Sequence, residues 1–413
     1  MIELNYLTKL LDGDSVEWMS LGEIAEYSTT RVDAIKLDAT SFTGVDNLIS
    51  NKGGRIDANY LPNTARLTAY EPGDILLGNI RPYLKKVWMA TNSGGCSGDV
   101  LAVRIRYECR SFVNPNFLYF ILSSDAFFSY SMQHAKGAKM PRGSKADILN
   151  YEIPIPCPSS PEKSLAIQSE IVRILDKFTA LTTELTTELT ARKKQYNYYC
   201  DQLLNFDENI PVVPLSDCCV SISDGDHQAP PKTDSGVPFI TISNITRSNT
   251  IDFENTHFVA DDYYQRIHDK RRARKKDILY TAVGSIGIPV YIDFDMKFAF
   301  QRHIAILRAD EQKIMPKYLY HVMRSSAFFK KANSVAVGAA QKTITLSALN
   351  KMNVHIPPIG EQERIVNILD KFDTLANSLS EGLPREIELR QKQYEYYRDL
   401  LFTFPKLNIQ VEA

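Results

Sequence analysis

The chain has no long hydrophobic run. Its most apolar stretch, FLYFILSSDAFF at 117–128, is broken by Ser123, Ser124 and Asp125, too short and too polar to cross a bilayer. The first residues show no basic segment leading into an apolar core, so no signal peptide is expected. A cytoplasmic location without a membrane partner is the expectation. The six cysteines, Cys96, Cys109, Cys157, Cys200, Cys218 and Cys219, form no Cys-x-x-Cys pair. Free buried thiols in a reducing compartment are therefore expected, rather than a disulfide framework or a zinc site. Charge excess is also missing: 48 Lys and Arg against 49 Asp and Glu leave a net charge of −1. That excludes a histone-like protein but leaves room for local basic patches. Apolar residues are not scarce, at 44%, so disorder as the main state is excluded, and 413 residues predict two to four structural units.

Catalytic signatures are missing as well. No Asn/Asp-Pro-Pro-aromatic loop exists; the nearest string, NPNF at 114–117, reads as a helix start. GSIG at 284–287 is a turn, not a dinucleotide or phosphate loop, and no HExxH occurs. The histidines are scattered. Asp224, Asp226 and His227 cluster in SDGDHQAPP, which reads as a polar turn. Neither catalytic residues nor metal ligands are expected.

What is present is a repeat. IVRILDKF at 171–178 returns as IVNILDKF at 365–372, and RKKQYNYYCDQLLNF at 192–206 returns as RQKQYEYYRDLLFTF at 390–404. Around both blocks apolar residues recur at steps of three and four. The first stripe runs Ile171, Ile174, Phe178, Leu181, Leu185, Leu189, then Tyr196, Tyr199, Leu203 and Phe206; the second includes Phe372, Leu375, Leu379 and Leu383. This spacing predicts two long helices with a coiled-coil seam. The second copy carries four extra residues, close to one helical turn, so its face is preserved. Gly382 and Pro384 there either separate two helices or kink one. Thr182–Leu185 and Thr186–Leu189 both read TTEL, a unit that repeats one helical face and adds about 6 Å of length each time. Thr182, Leu185, Thr186 and Leu189 thus form a candidate mechanical spacer; an ordinary amphipathic helix with a chance duplication is the plainer alternative.

The intervening segments match weakly. GDILLGNIRPYLKKV at 73–87 parallels KDILYTAVGSIGIPV at 276–290, and YLYHVMRSSAFF at 318–329 parallels 117–128. The chain also opens with the tail of the helical motif, Leu10–Leu11 standing for Leu203–Leu204 and Leu400–Leu401, as in a circular repeat. The expected fold is α/β: a first domain at 1–158, a long helix at 159–206, a second domain at 207–358 and a helical region at 359–413, with the helices antiparallel in a pseudo-two-fold arrangement. VPFITISNI at 237–245 and FAFQRHIAILRA at 298–309 read as strands.

The candidate binding residues are basic or amide side chains near turns. KRRARKK at 270–276 holds six cations in seven residues; Arg271, Arg272 and Arg274 are candidates for phosphate contact, and a merely solvated loop is the competing reading. The first domain offers Arg81, Lys85 and Lys86 after its DILL strand, and Lys139, Arg142 and Lys145 in HAKGAKMPRGSK. The second offers Ser285 in its GSIG turn, and Gln341 and Lys342 in VGAAQKT. Arginine, lysine and glutamine on glycine-containing loops suit phosphates and base edges.

The order of parts, with IQSEIVRILDKFTALTTEL and RKKQYNYY, then EQERIVNILDKF and RQKQYEYYRDLLF, closely resembles the specificity (S) subunit of type I restriction–modification systems, of the type IC kind. The resemblance is strong over the helices and weak inside the domains. It implies two target-recognition domains, each reading half of a bipartite, asymmetric site in double-stranded DNA, with the helices as a ruler for the gap. It implies no cofactor on this chain. Two modification (M) subunits would carry S-adenosylmethionine, and restriction (R) subunits would use ATP and magnesium. Threonine in the second position of TTEL departs from the commoner alanine of relatives. A coiled-coil scaffold whose domains bind protein is the alternative.

Overall fold

The computed structural model describes residues 4–227, 230–339, 341–377 and 382–405. The chain forms two compact units, residues 1–181 with 390–413, and residues 182–389.

In the first unit, one antiparallel sheet runs in the order Ala25–Tyr27, Val100–Ile105, Ile75–Gly78, Val87–Met89. A second runs Arg31–Asp33, Arg66–Tyr70, Gly94–Cys96, Phe42–Thr43, and Val16–Ser20 pairs with Glu152–Pro156. The string NPNF starts a helix, as expected: the Asn114 side chain accepts from the amides of Asn116 and Phe117, and Pro115 opens the first turn, where its missing N–H costs nothing. The core joins Ile75, Leu77, Leu101 and Phe117 to Leu7 and Leu11 near the chain start, to Ile171 and Leu175, and to Leu401 and Phe404. Phe117 meets Phe402 edge-on at 5.5 Å. Leu4–Leu11 and the end of Leu383–Leu401 thus close on one domain, the arrangement a circular repeat predicts.

The second unit repeats the plan. Its sheet runs Cys219–Asp224, Ile304–Ala309, Ile278–Thr281, Pro289–Tyr291, beside a three-stranded sheet of His257–Val259, Val237–Ile240 and Ala299–Phe300. The registers correspond: Ile75 faces Val103 and Gly78 faces Val100 in the first unit, Ile278 faces Leu307 and Thr281 faces Ile304 in the second. The strand expected over 237–245 is shorter. It stops at Ile240, because the Asn244 side-chain oxygen accepts from both the amide and the hydroxyl of Thr241 and winds Ile242–Asn244 into a 3-10 turn.

Pro161–Leu203 is one helix of 43 residues, about 65 Å long. It gives its residues up to Leu181 to the first unit and the remainder to the second. The C-terminal region is two helices, Ile359–Asn377 and Leu383–Leu401. Pro384 lies in the first turn of the latter, so Gly382–Pro384 separates helices rather than kinking one. Leu379 of the seam lies outside the described residues.

Only part of the tyrosine seam is helix against helix. Phe178 stacks on Tyr397 at 5.4 Å in the first unit, and Tyr199 on Phe372 at 5.2 Å in the second. Tyr196 instead turns into its domain and bonds the His321 ring at 2.9 Å, and Tyr394 packs against the first domain's core. Two buried glutamines fix the helix starts to the domains in the same way. Gln168 accepts from the amide of Asn114 and donates to the Phe112 carbonyl; Gln362 accepts from the amide of Met315 and donates to the carbonyl of Lys313.

Candidate nucleic-acid interface

Each unit carries the same loop frame at one end of its main sheet. In the first, the turn after Ile75–Gly78 meets a hairpin: Ile80 bridges Arg142, Lys136 bridges Arg142, and the Arg81 amide donates to the Pro141 carbonyl at 2.7 Å. In the second, Val283 bridges Thr343, Val337 bridges Thr343, and the Gly284 amide donates to the Lys342 carbonyl at 2.9 Å. The backbone conformations agree too. Arg81 and Gly284 are both left-handed, at φ 52° and 78°, and Gly137 and Gly338 share φ 99°. A side chain at Gly338 would meet the Gln341 carbonyl at 2.4 Å, so glycine is required there.

A buried ion pair anchors each frame. Arg104 Nη2 lies 2.7 Å from Asp74, and Arg308 Nη2 lies 2.8 Å from Asp277. The hydrogen bonds they donate to Asp74 and Asp277 raise the two guanidinium pKa values against the effect of burial, so both stay charged. The strand turns that complete the frame also match: Asn79 donates to the Asp99 carbonyl at 2.8 Å, and Ala282 to the His303 carbonyl at 2.9 Å.

The structure gathers some of the sequence-picked residues on this frame. Arg81 and Arg142 belong to it, Lys139 is exposed at the hairpin tip, and Lys145 is exposed in the first turn of the helix that follows. In the second unit Ser285 is exposed beside Gly284, Gln341 lines a cleft of about 320 Å³ with Asp224, Arg302, His303 and Thr343, and Lys342 bonds Asn333 at 2.9 Å. Other candidates hold the protein together. Lys85 and Lys52 both bond Asp125, at 2.9 and 2.7 Å. Burial would raise that carboxyl, but these bonds outweigh it and hold it at about 2. Lys86 donates to the Val45 carbonyl.

The KRRARKK run is not a field of free cations. Arg271 lies 3.5 Å from Asp224, at the cleft. Arg272 lies over the Tyr264 ring at 5.4 Å and donates to the Gln265 carbonyl. Arg274 pairs with Asp269, and Lys276 with Glu311. Of the three arginine candidates, Arg271 is the one paired with a residue that lines the cleft.

Sequence reading missed Asp99, Arg302 and His303. The signal lay in the repeat: carried from the DILL and DILY strands to their neighbours VLAVRI and IAILRA, the alignment sets Asp99 against His303. At the helix joint of the second unit, His321 is fully buried. Its Nε2 bonds Asp370 at 2.8 Å and its Nδ1 accepts from the Tyr196 hydroxyl, while Arg324 pairs with Asp373. Burial lowers the His321 pKa, more than Asp370 raises it.

Among the described residues no group of three or more His, Cys, Asp or Glu is placed to hold a metal ion, and no helix is long and apolar enough to cross a membrane. Five of the six free cysteines are buried and Cys219 is half-buried.

The model of the type I restriction modification DNA specificity domain matches residues 14–192 and again 212–389. The chain is 35% identical to the type I restriction enzyme EcoR124I/EcoR124II specificity subunit of Escherichia coli, covering 98% of each. It is 32% identical to a putative type I restriction enzyme specificity subunit of Haemophilus influenzae, over 97% of this chain and 98% of that one. The fold matches a chain solved in a study of assembly and conformational transition of the type I restriction–modification system, with TM-score 0.59 and 19% identity over 94% of this chain and 97% of that one. It also matches the system's S subunit from M. genitalium, with TM-score 0.55 and 12% identity over 96% and 98%. Two matches to the family's domain in one chain, on two units built to one plan, make this protein a member of the type I restriction–modification DNA specificity subunits, with two target-recognition domains.

Proposed function

We propose that the chain reads a bipartite, asymmetric site in double-stranded DNA, with a recognition domain at 1–158 for one half and another at 207–358 for the other. The observation that carries this reading is the loop frame built twice on matching backbone with different side chains: Asp99 and Arg142 in one unit, His303 and Thr343 in the other. One backbone design with two sets of base-edge chemistry suits two different half-sites. Arg81, Lys139, Arg142, Lys145, Arg271, Ser285, Gln341 and Lys342 are the candidates for DNA contact. The chain supplies no catalytic residue. The long helices dock two modification subunits, which carry S-adenosylmethionine, and restriction subunits add ATP- and magnesium-dependent work.

The first long helix sets the gap between the half-sites. Its TTEL units are regular helix, with Thr186 and Thr190 hydroxyls bonded to the carbonyls four residues back at 2.8 and 3.0 Å, while Leu185 and Leu189 are half-buried and continue the seam. Deleting Thr182–Leu185 removes about 6 Å, roughly two base-pair steps at about 3.4 Å each. The methylated motif of the variant complex is expected to show a gap shorter by about one or two base pairs and unaltered half-sites. Altered half-sites with the gap unchanged would overturn the ruler.

A further inference from the structure

The two units can be compared position by position, because the hydrogen bonds that define their frames correspond. Against the bridges to Arg142 and Thr343, Met140 stands where Gln341 stands. Against the strand registers, Gly98 and Asp99 stand where Arg302 and His303 stand. Beneath the frame the chemistry is constant, as in the two aspartate–arginine pairs. On its surface it changes at every one of these positions. A frame kept while its exposed side chains change is what a reader of two sequences requires.

The first unit's side chains have a definite geometry. Arg142 Nε and Nη2 bond the two Asp99 oxygens at 2.9 and 3.4 Å, and both side chains remain open to solvent, 53% and 37% exposed. The carboxylate takes one edge of the guanidinium and fixes its plane. The far end, with Nη1, keeps two parallel N–H donors, the pattern that fits O6 and N7 of guanine. At the equivalent positions the second unit carries His303 and Thr343 in place of the clamped pair. Gln341 is exposed beside the Gly284 turn, and a primary amide fits N6 and N7 of adenine.

We propose that bases are read at three equivalent positions, Asp99, Met140 and Arg142 in the first unit and His303, Gln341 and Thr343 in the second, and that Arg142, clamped by Asp99, reads a guanine. This rests on the reading above that each unit binds one half-site. The test uses the full chain assembled with its modification subunits, and genome-wide mapping of methylated adenine. Arg142→Gln removes the clamped fork. Methylation of the wild-type motif is expected to fall about 10-fold or more, with one guanine of one half-site relaxed and the other half-site and the gap unchanged. The double exchange His303→Asp with Thr343→Arg is expected to change the other half-site only. If that variant methylates nothing, Asp99→Asn decides, since it frees the Arg142 plane without altering the frame; discrimination at the guanine is then expected to drop. Complexes that assemble normally and methylate the unaltered motif at the wild-type rate would overturn the proposal. A wild-type complex that marks no bipartite motif would instead refute the half-site reading itself.

Discussion

Asp74 and Asp277 show how single residues carry the recognition frame. The side chain of Asp277 is 3% exposed, and it bonds both the guanidinium of Arg308 and the Arg274 amide. Removing it takes the close carboxylate from a largely buried cation and leaves Arg308 with Asp269 at 3.9 Å and the Arg272 carbonyl, which costs more than the pair contributes. Asp277→Ala is expected to destabilise the second unit by about 3 kcal/mol, read by denaturant unfolding of the complex; a loss below about 1 kcal/mol would contradict the anchoring role. These aspartates were visible in the DILL and DILY strings, but their partners were not, because sequence gives no pairing between strands. Lys85 and Arg272 illustrate the same limit. As letters they are cations near a turn. In space, Asp125 claims one and an aromatic face with a carbonyl claims the other.

At the level of elements, the helices were the most legible part. Steps of three and four marked them, and Pro384 marked the start of the last one. The destination of each tyrosine was not legible. Tyr196 and Tyr199 are three apart and lie on one face, yet Tyr199 meets Phe372 while Tyr196 joins His321. The same split recurs in the first unit, where Tyr397 meets Phe178 and Tyr394 packs on the domain core; what differs is polarity, since His321 and Arg324 stand where the repeat aligns Phe120 and Ser123. Facing the His321 ring are Tyr196 from the first long helix, Asp370 and Asp373 from the C-terminal helix, and Lys317, Tyr320 and Arg324 from its own. Its folded pKa lies below the unfolded value, so the unfolded chain binds the proton first. Stability is therefore present above about pH 6.5 and is lost as pH falls below it. Burial lowers His257 and His355 as well, so they add in the same direction. The melting temperature of the second unit is expected to fall between pH 7.5 and 5.5, and the fall to shrink in His321→Gln. An equal fall in both proteins would contradict the assignment.

For the whole molecule, most of the plan is legible in the repeat: two domains, long helices, and an opening segment that belongs with the closing helical motif. Leu7, Leu11, Leu401 and Phe404 in one core express that circularity. The reading positions stayed hidden because they lie on loops outside the strings that match between the two halves, and the shared hydrogen bonds of the frame make the correspondence plain. The central claim is that two such frames give this chain two half-sites. The measurement that tests it is single-molecule mapping of methylated adenine in cells expressing the chain with its modification subunit. Two fixed half-sites of different sequence at a constant gap are the predicted result. A complex that assembles and binds S-adenosylmethionine but marks no such motif would contradict it.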